Sequence, residues 1–590
     1  MATAKRRIAR VVTLGVAVAA ISGWVVGPAT AVSAPPGAGK PPPASGMGTT
    51  AALNNPKCQH NDPSYGVYGR FNSTYVGGGG VCVKPWTASD NNGGATAPGV
   101  TKNAITIVSV VPNDQEINKV PGTSPTKRDG SGAGSYQDAI HDLLLPYMKY
   151  YETWGRNIDM KFVVSTGDDE ASQRADAVTV EAMKPFAAMD FSPTGLDVLD
   201  TELANSKIII YGYSTNTKKA LAQAPYRWGD ADAGAAAVNA SAIIGKQLAR
   251  KKAQYAGSAD IKNQTRKFGA VFIQDAVDPA AFKASLAKYG VKLTDGLSYT
   301  ASGSTLGEPT TAQEQAPNIV TKLKQEGVTT MVLFTDVAMT KSLMEQATKQ
   351  EWFPEWFMTG TGFADIGLLA RTYPSDQYSH AFGMSILSPW VTPDPTPPPP
   401  AQSLTDEINP LNWYWGLGVG TSGSSTPTIL GWLMNGLQAA GPNLTTKTFQ
   451  QGLFATPASG GAAQNQTTSS MSGYGKTAGL PYDEYNELGI DFAPWFWDAT
   501  TSGPSSGTGT QGKGVAWYLD GAKRYTAKTV PSKPFPFFDK TNAVYKFDTR
   551  QPPVPVFVGA CAGCPSQGGS GQAGTPDPSG FVATASDAST

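Results

Sequence analysis

Histidine is scarce: His60, His141 and His380 are the only three in 590 residues. So small a set supports neither a histidine-rich metal site nor a serine-type triad, because both need imidazoles brought together. Cysteine stops at four. Structural zinc needs four ligands in one place, and Cys58 and Cys82 lie far along the chain from Cys561 and Cys564. Charge is thin as well, at 16% of residues, with Lys+Arg and Asp+Glu both at 46 and a net charge of zero. That balance argues against a nucleic-acid partner, which usually needs a basic surface. Past the N-terminus no apolar run is long enough to cross a bilayer. A G-x-S-x-G nucleophile elbow is missing. Gly418, Gly420 and Gly423 have a dinucleotide-loop spacing, but no strand leads into them, so they read as a loop without a cofactor.

What is present begins with an export pattern. Lys5, Arg6, Arg7 and Arg10 precede the apolar run Val11 to Val26, and Val32-Ser33-Ala34 supplies small residues for cleavage. Residues 1–34 are the expected signal peptide, cut after Ala34, and the mature chain is expected outside the cytoplasm, in a periplasm or cell wall or released. The first cysteine is Cys58, so a lipidated cysteine at the cleavage site is not expected. An oxidising compartment suits disulfides. Cys58–Cys82 with Cys561–Cys564 is the simplest of three pairings. Gly at 65 and Pro at 45 make close to a fifth of the chain. They concentrate in a flexible segment within 35–99, in the connector Thr392 to Pro400, and in a tail over 551–590.

Between these ends, strands alternate with helices. Ile105 to Val111 is a β-branched run, Tyr136 to Trp154 is helical by its apolar spacing, and Met160 to Val164 is a strand. Asp168, Asp169 and Glu170 open a helix, where acids are dipole partners more simply than catalysts. Phe186 to Thr215 is a strand–helix–strand unit with hydroxyls at both strand ends: Ser192 and Thr194 after the first, Thr215 after the second. Open α/β sheets bind ligands at that edge, and unpaired helix-start N–H groups suit a carboxylate. A second series runs from Tyr226 onward: helix 233–252, strand 269–273, helix 279–289, strand 292–299, helix 316–325, strand 329–334 and helix 339–350. Alternation of this kind predicts parallel sheets.

The order of segments resembles the solute-binding proteins of the branched-chain amino-acid (Leu/Ile/Val) type. The carrying residues are Gly99-Val100-Thr101 with Ile105-Thr106-Ile107, Asp168-Asp169, the 186–215 unit, Pro225-Tyr226-Arg227-Trp228, Phe334-Thr335-Asp336 and Phe357-Met358-Thr359-Gly360. The resemblance implies an α/β, two-lobed type I periplasmic-binding fold, with a central cleft and a hinge of three crossings. Lobe 1 would be 100–224 and 400–490, and lobe 2 would be 225–390 and 491–550. It implies a monomer that captures a small solute, an amino acid or related carboxylate or amide, for the permease of an ABC importer. No enzyme activity, cofactor or metal is implied. By position Ser192 and Thr215 match the family's ligand hydroxyls, with Thr194 beside them; capping is the plainer role for all three. Asp230 or Asp232 matches an acid after the Arg227 motif, and Thr361 stands where the family often has an acid for the ligand amine. Trp390, Trp413 and Trp495 are candidates to pack on a larger ligand, with core packing the plainer role for most of them. A sensing module without transport and a secreted hydrolase are the competing readings.

Overall fold

A computed structural model describes residues 86–119, 125 and 134–548, apart from 194, 215–216, 232, 275, 302–306, 362–364, 393–425, 457, 459, 469 and 477–478. The strands are β1 (Ala104–Val111), β2 (Asn157–Val164), β3 (Ala187–Asp190), β4 (Ile209–Ser214), β5 (Arg227–Ala231), β6 (Phe268–Ile273), β7 (Asp295–Tyr299), β8 (Thr330–Phe334), β9 (Glu355–Met358), β10 (Ala381–Ser385), β11 (Trp390–Val391), β12 (Asn486–Leu488), β13 (Ala493–Pro504), β14 (Gln511–Tyr518) and β15 (Lys546–Phe547). They form a six-stranded sheet ordered β12-β5-β4-β3-β1-β2, a seven-stranded sheet ordered β14-β13-β10-β9-β8-β6-β7 and a two-stranded pair of β11 with β15. The first sheet is parallel throughout. In the second, β13 and β14 join antiparallel to a parallel body.

Each sheet is buried on both faces, and the two-residue period of the strands sorts side chains between the layers. Ile105, Ile107, Met189, Ile209 and Tyr211 face one core, which holds Trp432 and Phe449 from the late helices Thr426–Ala440 and Thr446–Ala455. Val108, Val110, Ala188 and Ile210 face the other, against Leu196, Leu199 and Leu203. In the second sheet Val271, Met331, Leu333 and Trp356 take one face, and Phe272, Val332, Phe334 and Phe357 the opposite one.

The helix expected after Asp168 spans Glu170–Ala182, and Asp169 is its N-cap, accepting from the Ala171 and Ser172 N–H groups at 3.1 Å each. Hydrogen bonds from the Ser172 side chain and backbone hold its carboxyl below the usual range. Asp169→Ala is expected to lower stability through loss of the cap, and denaturant melts of the variant beside the wild type check it.

The break between lobes falls later than 225. Arg227–Ala231 pairs with β4 in the first sheet, and the chain enters the second lobe with helix Ala233–Ile243. That helix does not run on to 252 but ends in a π-turn, Ile244–Leu248. β13 runs past the core at its polar end, where it forms a hairpin with β14. The signal segment, the four cysteines, Trp413 and the tail lie outside the described residues. Trp390 is half-buried on β11, and Trp495 is a core residue of the second lobe.

Candidate functional site

At the carboxyl ends of β1 and β3 the backbone turns sharply, and acids hold the turns. Asp190 ends β3 and accepts from the Ser192 N–H at 2.7 Å and the Leu196 N–H at 3.0 Å. Burial, and then the charge of Asp200, push its carboxyl well above the ordinary carboxylate range. Ser192 is itself buried, and its hydroxyl donates to Glu116 Oε1 at 3.0 Å. Glu116 sits on the short helix Asp114–Lys119 behind β1 and also accepts from the Asn113 N–H at 2.9 Å. Ser192 therefore meets the first lobe through an acid.

Helix Asp197–Asn205 follows, and its start is not open. Gln173 reaches from the preceding helix and accepts from the Val198 N–H at 2.9 Å and the Leu199 N–H at 3.2 Å. The amide groups expected to greet a carboxylate are occupied by this side chain. Below them Asp200 is pushed up to about 7 by burial. Its carboxyl fills the space over Gly212, where a Cβ would come within 2.0 Å of it. Buried Arg227 ties β5 to this helix through Asp197 at 2.7 Å and Thr201 at 2.8 Å.

Two further acids meet where the lobes join. In the β5–β12 register Gly229 pairs with Asn486 and Ala231 with Leu488, which sets Asp230 opposite Glu487. Glu487 is fully buried and accepts from Tyr474 at 3.1 Å, Ser472 at 3.2 Å and Tyr211 at 3.3 Å. Burial, and then the facing Asp230, raise its carboxyl to about 8; burial alone raises Asp230 to about 7.

The chain passes between sheets three times: after β5, after β10, and between β12 and β13. One buried ion pair gathers these crossings. Arg524 grips Asp491 with two donors at 2.9 Å, and donates to the carbonyls of Leu387 at 2.8 Å and Ile386 at 3.0 Å. Asp491 also accepts from the Ala462 and Met471 N–H groups. Asn239, on the helix after the first crossing, bonds the Ile490 carbonyl and the Ala527 N–H.

Both halves repeat one strand order, 2-1-3-4-5 in the first and 7-6-8-9-10 in the second, with three links between them. Two such halves are the arrangement that the resemblance to the type I periplasmic-binding fold implies. No family model matches the chain, and no curated protein does. Solved structures similar to it include a solute-binding protein of an ABC transporter from Rhodopseudomonas palustris BisB5 in complex with 3,4-dihydroxybenzoic acid. That pair is 10% identical over 70% of this chain and 97% of the other, with a TM-score of 0.38. A fatty acid ABC transporter substrate-binding protein from Thermomonospora curvata is 13% identical over 75% and 98%, with a TM-score of 0.40. An ABC transporter substrate-binding protein from Aeropyrum pernix is 10% identical over 67% and 92%, with a TM-score of 0.41.

Of the residues expected to touch solute, Ser192 lies on the front-lobe edge as described. Thr361 lies after β9, its hydroxyl 3.0 Å from that of Thr359. Thr194, Thr215 and Asp232 fall outside the described residues. Sequence reading missed Glu116, and it passed over Asp190 as part of a strand end. The available signal was an acid directly following a buried β-branched or apolar run, a costly place for a carboxylate unless local amides or hydroxyls receive it. Among the described residues no helix is long and apolar enough to cross a membrane.

Proposed function

We propose that the chain is an exported solute-binding protein that captures a small polar solute between its lobes and delivers it to the permease of an ABC importer. The observation that carries this reading is the knot at Arg524 and Asp491. One parallel sheet and one mostly parallel sheet, with links stitched together at one ion pair, are suited to close on a solute by a hinge. The strand ends that would line the gap carry hydroxyls and acids, which position a polar ligand. Ser192, Thr194 and Thr215 from the front lobe, with Asp232 and Thr361, are the proposed contacts. The protein does no chemistry on the solute and needs no cofactor. The basic, apolar and small-residue order of residues 1–34 supports action outside the cytoplasm.

Within the class of amino acids, carboxylates and amides, the front edge favours an amide or other uncharged end. Ser192 donates to Glu116, Asp190 and Asp200 lie close by, and Gln173 holds the helix amides. The test is a melting series on protein refolded free of bound solute, across amino acids, amides, short organic acids and small peptides. One class is expected to raise the melting temperature by mass action, with Ser192→Ala weakening binding about tenfold, the worth of one hydrogen bond. A flat response across the whole panel would remove the reading.

A further inference from the structure

The helix Glu170–Ala182 lies on the first sheet with Gln173, Asp176, Ala177 and Val180 buried beneath it. Helical spacing then fixes what its outer face shows. Down the middle of that face stand Ala171, Ala175, Val178 and Ala182, all exposed, at steps of four, three and four residues. Val178 is 65% exposed, the most of any large apolar side chain among the described residues. The outward middle of a surface helix ordinarily carries polar or charged side chains. Here the charges keep to one flank. Arg174 is ion-paired with Glu170 at 2.9 Å and with Glu202 of the next helix, and Glu181 accepts from the Ser206 hydroxyl at 2.5 Å. The other flank, with Ser172, Thr179 and, at the C-cap, Met183, is uncharged.

The pattern complements itself in reverse. Turned end for end about a point between Ala175 and Val178, the helix sets Ala171 over Ala182, Ala175 over Val178 and Arg174 close to Glu181. A two-fold axis makes each of these contacts twice, because in such an interface one patch meets itself. We propose that this face is a self-association surface, on which a second copy of the chain packs its own Glu170–Ala182 helix antiparallel. The alanines let the two backbones approach, and Val178 supplies apolar area to bury. The charges choose the occupant. Arg174 meets the partner's Glu181, and Glu181 meets the partner's Arg174, whereas a parallel pairing would set each charge level with its own like. Exposed ion pairs add little affinity, but they fix register and partner. One helix pair is smaller than a standard interface, so the association is weak and concentration-dependent. The helix packs on β2, at the opposite end of the sheet from β5 and β12. Two joined copies therefore keep their inter-lobe links free, and the pairing is independent of any solute.

The test is sedimentation velocity on the whole mature protein, from low micromolar to millimolar concentration. A dimer that dissociates on dilution is expected. Val178→Glu brings two like charges into the contact and should raise the dissociation constant about tenfold or more. Its side chain is exposed in the single chain, so the melting temperature should stay within about 2 °C of the wild type. Arg174→Glu and Glu181→Arg should each dimerise less than the wild type, because each sets like charges together. Mixed in equal amounts, the two variants should form a heterodimer, since every crossed contact then joins opposite charges. A monomer at every concentration would overturn the proposal. So would a dimer that Val178→Glu leaves intact, which would put the contact on another surface, or a mixture that associates no better than either variant alone. If Arg174→Glu does not fold, Val178→Glu and Glu181→Arg decide, and an undiminished dimer in either counts against the surface.

Discussion

Arg524→Leu is expected to lower the unfolding free energy by about 3–5 kcal/mol, the scale for removing one partner of a buried ion pair. The reason is what stays behind. Asp491 is completely buried, and without the guanidinium it keeps only the amide donors of Ala462 and Met471. The carbonyls of Ile386 and Leu387 lose their donor at the same time. Replacing both charges together, Asp491→Asn with Arg524→Leu, should cost less than the sum of the single changes, because no charge is then stranded. Denaturant melts of the two single variants and the double complete the cycle. Additive losses would mean that the pair does not act as a unit. Solute affinity is expected to fall in both single variants, since the links that set the lobes' relative position loosen.

The second large effect follows from pH. Glu487 and Asp230 face each other with carboxyls raised to about 8 and about 7. A raised folded-state value means the native protein holds the proton more tightly than the unfolded chain does. The resulting stability is fully present below the unfolded carboxyl range and is lost as pH climbs toward 8. The slope is about 1.4 kcal/mol per pH unit for each proton held in excess, so Glu487 alone accounts for on the order of 5 kcal/mol across the window. Asp200 at about 7 and Asp365 at about 6 act in the same direction. At the acid end the sign reverses. Asp498, whose carboxyl is held low by Lys540 and the Thr500 and Thr501 hydroxyls, must be protonated there, and its contribution disappears as pH falls. Stability is therefore expected to peak on the mildly acidic side and to decline toward pH 8.5. Glu487→Gln should flatten the upper limb by about one proton's slope. Urea titrations at several pH values measure it, and an unchanged upper limb in the variant would move the effect to other acids.

Much of the architecture is legible in local pattern. β1, β3, β4, β6 and β8 are β-branched or apolar runs, and the helices between them carry apolar faces at helical spacing. Periodicity reports burial, so it finds elements well. It reports nothing about which sheet a short polar-flanked strand joins, and Arg227–Ala231 is such a strand. Its membership of the first sheet is decided by pairing with β4 and by the Arg227 contacts to Asp197 and Thr201. The site is less legible for a related reason. Gln173 caps a helix that starts more than twenty residues later, and Arg524 finds Asp491 across the whole hairpin of β13 and β14. Such partners are set by packing, and spacing leaves no trace of them. Ser192 shows both sides: its place at a strand's end is readable, but its bond to Glu116 is not.

Because Ile386, Leu387 and Asp491 are all fastened to the same planar guanidinium, two of the three links cannot twist separately. Rotation of one half on the other is left with a single common axis. The torsion falls on residues just outside the fastening, such as Gly489, whose φ of +79° lies in the left-handed region that favours glycine. Motion with one axis favours two end states over a continuum of partly shut ones, and in the proposed solute-binding role that ties the dwell time of a solute to how often the whole assembly swings back.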